Sequence, residues 1–104
     1  MTTFDDREQA FENKFAHDAE MQFRAMARRD KLAGLWAAEL MGLTGSAADE
    51  YAMSVVQADF EEPGDDDVVR KLTADLGART TVEQVRAKLG ELLPVAKAQL
   101  VSEV

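Results

Sequence analysis

The sequence predicts an all-α protein: a four-helix bundle with a long first helix whose N-terminal arm is mobile or projecting. Three observations predict it. Only 6 glycines and 2 prolines interrupt 104 residues, while Ala, Leu, Glu, Gln, Arg and Lys, which lose least on entering a helix, abound. Apolar residues recur at steps of three and four, the helical period, and no strand-like alternation is present. The opening run, from about Asp5 to Met41, has no proline and no glycine before Gly34. Short turns between the runs favour one bundle, with the first and last helices the long ones.

The first run carries Phe4, Phe11, Phe15 and Phe23, four of the five phenylalanines. The first three are spaced seven and four apart, which stacks them on one side of a helix. Roughly 37 residues at 1.5 Å each make a rod of about 55 Å. A compact domain of this size is only about 35 Å across. The rod outruns its globule, so about a dozen residues or more at its N-terminal end project or fray as an arm. Burying each aromatic ring is worth on the order of 2 kcal/mol, and three in line suit insertion of a helix into a partner's groove. The plain alternative is a terminus that frays and has no role.

Charge divides the same run. Asp5, Asp6, Glu8, Glu12, Asp18 and Glu20 outnumber Arg7 and Lys14 in the first part, whereas Arg24, Arg28, Arg29 and Lys31 outnumber Asp30 in the next. Glu20 and Arg24 stand at i,i+4. From Leu32 to Met41 the run is apolar almost all round, through Leu32, Leu35, Trp36 and Leu40 with Ala33, Ala37 and Ala38. That half is expected to be core, and the N-terminal half is not.

Gly42 suits the position just past a helix end. Ser46 and Asp49 have capping-box spacing, which starts a second helix from about Ser46 to Phe60. Its inner face is Ala52, Val55, Val56 and Phe60, with Tyr51 at one edge. Glu61-Glu62-Pro63-Gly64-Asp65 is a turn. Asp65 or Asp66 can cap a short third helix that ends at Gly77, with Val68, Val69, Leu72 and Leu76 inward. Thr81 and Gln84 repeat the capping-box spacing. The fourth helix then runs a seam through Val82, Val85, Leu89, Leu92, Ala96 and Leu100, and Pro94 lies off that seam and should kink it.

The totals exclude several function classes. The net charge is −8, which opposes general nucleic-acid binding and attachment to anionic membranes. There is no cysteine, hence no disulfide, thiol catalysis or thiolate metal site. No apolar run approaches the roughly 18 residues of a membrane span, so no direct membrane insertion is expected. The start MTTFDDREQ has no basic-then-apolar leader. A soluble cytoplasmic protein is expected.

Site chemistry is sparse. Asp59, Glu61 and Gly64 partly mimic a calcium loop, but Pro63 takes a ligand position and Arg70 stands where a bidentate Glu is required. No metal or other cofactor is expected. His17, the single histidine, has no Ser or Cys partner at a catalytic spacing and sits on the arm, where it can act as a pH-sensitive contact. Arg24, Arg28 and Lys31 share one helix face. That face is either a solvated stripe or a contact for an anion, such as weak adenine-nucleotide binding. The glycines match no phosphate loop. Paired carboxylates alone, without a base, nucleophile or metal, do not make a hydrolase. Two readings remain: a non-catalytic protein that binds a partner through the arm, and a small helical nucleotide- or metabolite-sensing module.

Longer stretches carry a resemblance. The start TTFDDRE, then KFAHDAE, RRDKLAGLWAAELMGLTG and DFEEPGDDDV, and the ending SEV resemble the zeta subunit of alphaproteobacterial rotary ATP synthases across essentially the whole chain. The resemblance implies a four-helix bundle and an N-terminal inhibitory segment that is mobile when free. It implies that this segment turns helical as it wedges into a catalytic interface between the α and β subunits, near the γ stalk, and so blocks ATP hydrolysis. By position it implies a role for Thr2 to about Ala19. Phe4, Phe11 and Phe15 would fill apolar pockets, and Asp5, Asp6, Arg7, Glu8, Glu12 and Lys14 would set register through charge pairs. It implies a location at the inner-membrane ATP synthase, peripheral and cytoplasmic.

Overall fold

The computed structural model describes residues 18–59 and 64–103. Asp18 is in extended backbone, and its Oδ1 accepts from the Met21 N–H at 3.1 Å. An aspartate so placed satisfies one of the donors that a helix start leaves orphaned. Helix α1 therefore begins at Ala19 and runs to Leu40. This corrects the continuous rod expected from Asp5: the run breaks at Asp18, and its earlier part lies outside the described residues. Gly42, at φ +78°, closes the other end. The Leu43 N–H reaches the Ala38 carbonyl at 2.8 Å and the Gly42 N–H reaches that of Glu39 at 3.1 Å, the paired bonds of a glycine-terminated helix.

Three further helices follow: α2 (Gly45–Asp59), α3 (Asp66–Leu76) and α4 (Val82–Ser102), with a turn of 3₁₀ helix at Gly77–Arg79 between the last two. No strand occurs among the described residues. α2 starts one residue before Ser46, which puts Ser46 inside the first turn rather than at the cap. At α4 the expected box forms in full. Thr81 Oγ1 accepts from the Gln84 N–H at 3.2 Å, and Gln84 Oε1 accepts from the Thr81 N–H at 3.1 Å. α4 stays helical past Pro94, which is exposed.

Helix α1 packs against each of the other three. Its inner stripe is small: Ala33, Gly34, Ala37 and Ala38 are all buried. At Gly34 the α2 backbone comes so close that an added Cβ would stand 2.6 Å from the Ala52 Cα. Larger side chains from the other helices fill the remaining space. Val55, Val68, Val69, Leu72, Leu76, Val85 and Leu89 form the main core with Ala33 and Ala37. Trp36, Met41, Tyr51 and Leu92 close its edge. All four inward positions expected of α3 are buried, as are Ala52, Val55 and Val56 of α2. Phe60 lies outside the described residues.

Three burial expectations need correction. Leu40 is 43% exposed, at the last residue of α1. Val82 is 41% exposed, one residue into α4 and off the end of the core. In the other direction, the first half of α1 is not wholly outside. Met21 and Ala25 pack with Leu100 in a second apolar cluster, flanked by Leu93 and Val101 of α4. The returning C-terminus of α4 is what covers them.

Polar clasps tie the helices at their margins. The Tyr51 hydroxyl of α2 donates to Asp75 of α3 at 2.7 Å, and Lys71 reaches the same carboxylate at 3.1 Å while lying over the Tyr51 ring. Burial, and then the bond to Asp75, push the Tyr51 hydroxyl above its ordinary pKa. On the far side Lys88 of α4 lies over the Trp36 ring of α1.

Candidate functional site

The arm residues Phe4, Asp5, Asp6, Arg7, Glu8, Phe11, Glu12, Lys14, Phe15 and His17 lie outside the described residues. What the structure describes is the capped start of α1 and the face that follows it. Helical spacing puts Phe23, Arg24, Ala27, Arg28 and Lys31 on one side of α1. With Met53 and Val56 of α2, Leu100 of α4 and Glu103 just past its end they line an open groove of about 380 Å³. Its floor is apolar and its rim is charged. Phe23 is 57% exposed and Met53 48%, so the groove presents apolar surface directly beside the start of α1.

The three basic residues expected to share a face do share it, but their charges are answered from within the chain. Arg24 pairs with Glu20 at 2.8 Å, and both are exposed. Such a pair is worth at most about 1 kcal/mol. Arg28 reaches across to α4, donating to Gln99 Oε1 at 2.9 Å and to Glu103 Oε2 at 2.9 Å. The bond to Glu103 raises the Arg28 guanidinium above its ordinary pKa, and the reciprocal bond lowers the Glu103 carboxyl. Lys31 adds to the pull on Glu103. An anion entering the groove meets the Glu103 carboxylate where it would seek Arg28. The groove thus suits an apolar side chain better than a phosphate.

Sequence reasoning missed a second charged cluster beneath this surface. Arg29, next to Arg28 but turned inward, is 2% exposed and Asp30 is fully enclosed. Arg29 Nη2 and Nε donate to Asp30 Oδ1 at 2.8 and 3.1 Å. Its Nη1 and Nη2 make two further bonds, to Asp65 Oδ2 at 3.2 Å and Oδ1 at 2.9 Å. Asp65 does precede α3, as expected, but its side chain makes no cap bond, because it is taken up by Arg29. Burial lowers the Arg29 pKa, and the bonds to Asp65 and Asp30 more than reverse that, so it stays charged. The available signal was the pair Arg29-Asp30 on the inner side of a helix whose other inner residues are small.

Among the described residues no group of His, Cys, Asp or Glu is arranged to hold a metal ion. No described helix is long and apolar enough to cross a membrane.

Comparison with known proteins adds the family. The family model of ATPase inhibitor subunit zeta matches residues 1–99. A protein whose structure was solved by NMR in solution is similar at 54% identity, with a TM-score of 0.76. The match covers 81% of this chain and 99% of that one. No curated protein matches the chain.

Proposed function

This chain belongs to the ATPase inhibitor subunit zeta family, and from that premise we propose that it inhibits ATP hydrolysis by the rotary ATP synthase without catalysing a reaction itself. Residues 1–19 are the inhibitory arm and residues 20–104 the bundle that carries it. The arm inserts as a helix into a catalytic α/β interface near the γ subunit, at an enzyme head peripheral to the inner membrane on its cytoplasmic side. The observation that carries this reading is the extent of the family match, which runs through the arm and the bundle together.

The physical account is one of wedging. Ordering a free segment costs about 1–2 kcal/mol of backbone entropy per residue. A run with few helix breakers reduces the cost, and the helix start capped by Asp18 lies close to the end of the proposed arm. Aromatic burial supplies the favourable side. Phe4, Phe11 and Phe15 would enter apolar pockets, each contributing on the order of 2 kcal/mol. Asp5, Asp6, Arg7, Glu8, Glu12, Lys14 and His17 would hold register. A helix lodged where a catalytic site must open and close stops the cycle with no chemistry of its own.

The test replaces the aromatics. Phe11→Ala and Phe15→Ala should each weaken inhibition of the cognate head by about 10-fold or more, the equivalent of about 1.4 kcal/mol or above. The helical circular dichroism and unfolding midpoint of the bundle should not change. Variants that inhibit as well as the parent would contradict insertion through these rings.

A further inference from the structure

Three aspartates from three elements converge on one guanidinium. Asp30 is on α1, Asp59 ends α2, and Asp65 precedes α3. Arg29 Nη2 stands 2.8 Å from Asp30 Oδ1, 2.9 Å from Asp65 Oδ1 and 4.0 Å from Asp59 Oδ2. The side chains of Arg29, Asp30 and Asp59 are 3%, 0% and 11% exposed. With every carboxyl ionised, one cation would face three anions, two of them, Asp30 and Asp59, largely out of water, where charge is hardest to carry. Asp30 is the most enclosed of the three. Arg29 spends both of its bonds to Asp30 on Oδ1, and Oδ2 is buried with no donor. A proton there removes one negative charge and turns a bare acceptor into a donor. Asp59, whose Oδ2 stands 4.0 Å from the same Arg29 Nη2, is the enclosed carboxylate beside it.

We propose that Asp30 and Asp59 form a proton-binding site, the proton held on Asp30 and donated to Asp59, which fastens α1 to the α2–α3 junction and loosens it on release. Asp65 belongs to the same assembly through its paired bonds to Arg29. Release leaves two carboxylates facing each other beside a guanidinium that is already shared. The strain falls on the ends of α2 and α3, since Asp59 and Asp65 flank their connection.

The electrostatics agree. Burial, followed by the bond to Asp59, pushes the Asp30 carboxyl up to about 8, against the opposing pull of Arg29. Arg29 of α1 and Asp59 of α2 are the charged groups that act on it directly, and Asp65, before α3, acts through the Arg29 it shares. The ordinary value is 3.8, so between that and about 8 the folded chain holds one proton that the unfolded chain has lost. Stability from this group is complete below the ordinary value, declines as pH rises, and is gone above about 8.

Two measurements on the full chain test the site. The first follows the Asp30 side-chain carboxyl carbon by NMR from pH 3 to 10. Its midpoint should lie near 8, and Asp59→Asn should move it down by more than one pH unit. The second compares unfolding midpoints of the parent and Asp30→Asn. The amide keeps an acceptor for Arg29 and a donor for Asp59 without a proton to lose. The parent should lose stability relative to Asp30→Asn from pH 5 to 8. An Asp30 midpoint below 5, or parallel stability curves, overturns the proposal. Should Asp30→Asn fail to fold, the carboxyl titration of the parent decides alone. Neither measurement depends on the inhibitory reading.

Discussion

Replacing Arg29 by alanine is expected to cost about 3–5 kcal/mol of unfolding free energy, a large share of the roughly 5–15 kcal/mol that a domain of this size possesses. The substitution removes the only described cation among Asp30, Asp59 and Asp65. Asp30 can take a proton, and Asp65, at 39% exposure, can turn toward water. Asp59, mostly enclosed, is left with an unanswered charge. The loss should therefore grow as pH rises, since alkaline conditions also ionise Asp30. Combining Arg29→Ala with Asp30→Asn should restore part of the stability, as expected when two residues share one network. Denaturant titration at two pH values reads all of this. A cost below about 1 kcal/mol, unchanged with pH, would mean that the cluster is as well solvated as a surface pair.

Gly34→Ala should destabilise the bundle by about 1–2 kcal/mol, although alanine is the better helix former by about 1 kcal/mol. Gly34 is inside α1 with no need for a left-handed backbone. Its role is proximity. The new Cβ would stand 2.6 Å from the Ala52 Cα, 3.1 Å from the Ala52 Cβ and 3.2 Å from Val55 Cγ2. The first of these is backbone and cannot rotate away, so α2 must shift as a body against a packed core, an overpacking cost of about 1–3 kcal/mol. The internal control is Gly90→Ala on the exposed side of α4, where nothing lies within 4 Å of the added carbon. There only propensity acts, and stability should rise by up to about 1 kcal/mol. Opposite signs from the same substitution at two helical glycines are the expected thermal-melt result.

These two positions mark the boundary of what the sequence discloses. The seam of α4 through Val85, Leu89, Ala96 and Leu100, the inward face of α3 and the Thr81–Gln84 box are local patterns, and each is legible because its cause lies within one or two turns. The close approach at Gly34 depends on what another helix places opposite, and a lone glycine in a helical run carries no sign of it. Arg29 and Asp30 entered the sequence reading only as part of the charge balance of the first run. Only the fold shows that Arg28 looks outward to Glu103 while its neighbour points in. Asp65 was legible as a residue that precedes a helix, but not as one whose carboxylate is spent elsewhere. The break at Asp18 had a local signal, since an aspartate with Met21 three residues on and Glu20 in the first turn has the form of a cap. The long apolar and charged periodicity around it read through that signal. For the groove, the shared face of Arg24, Arg28 and Lys31 followed from spacing alone. Its apolar floor and the Glu103 carboxylate come from α2 and α4, far along the chain.

The central claim is a division of labour between an arm that inhibits and a bundle that holds it. Deleting residues 1–19 and assaying ATP hydrolysis by the purified cognate head, with the full chain in parallel, tests it most directly. The truncated protein should keep the four-helix circular dichroism signal and leave hydrolysis at its uninhibited rate, while the full chain suppresses it. A folded truncated protein that inhibits as strongly as the full chain would contradict the claim and move the inhibitory surface onto the bundle.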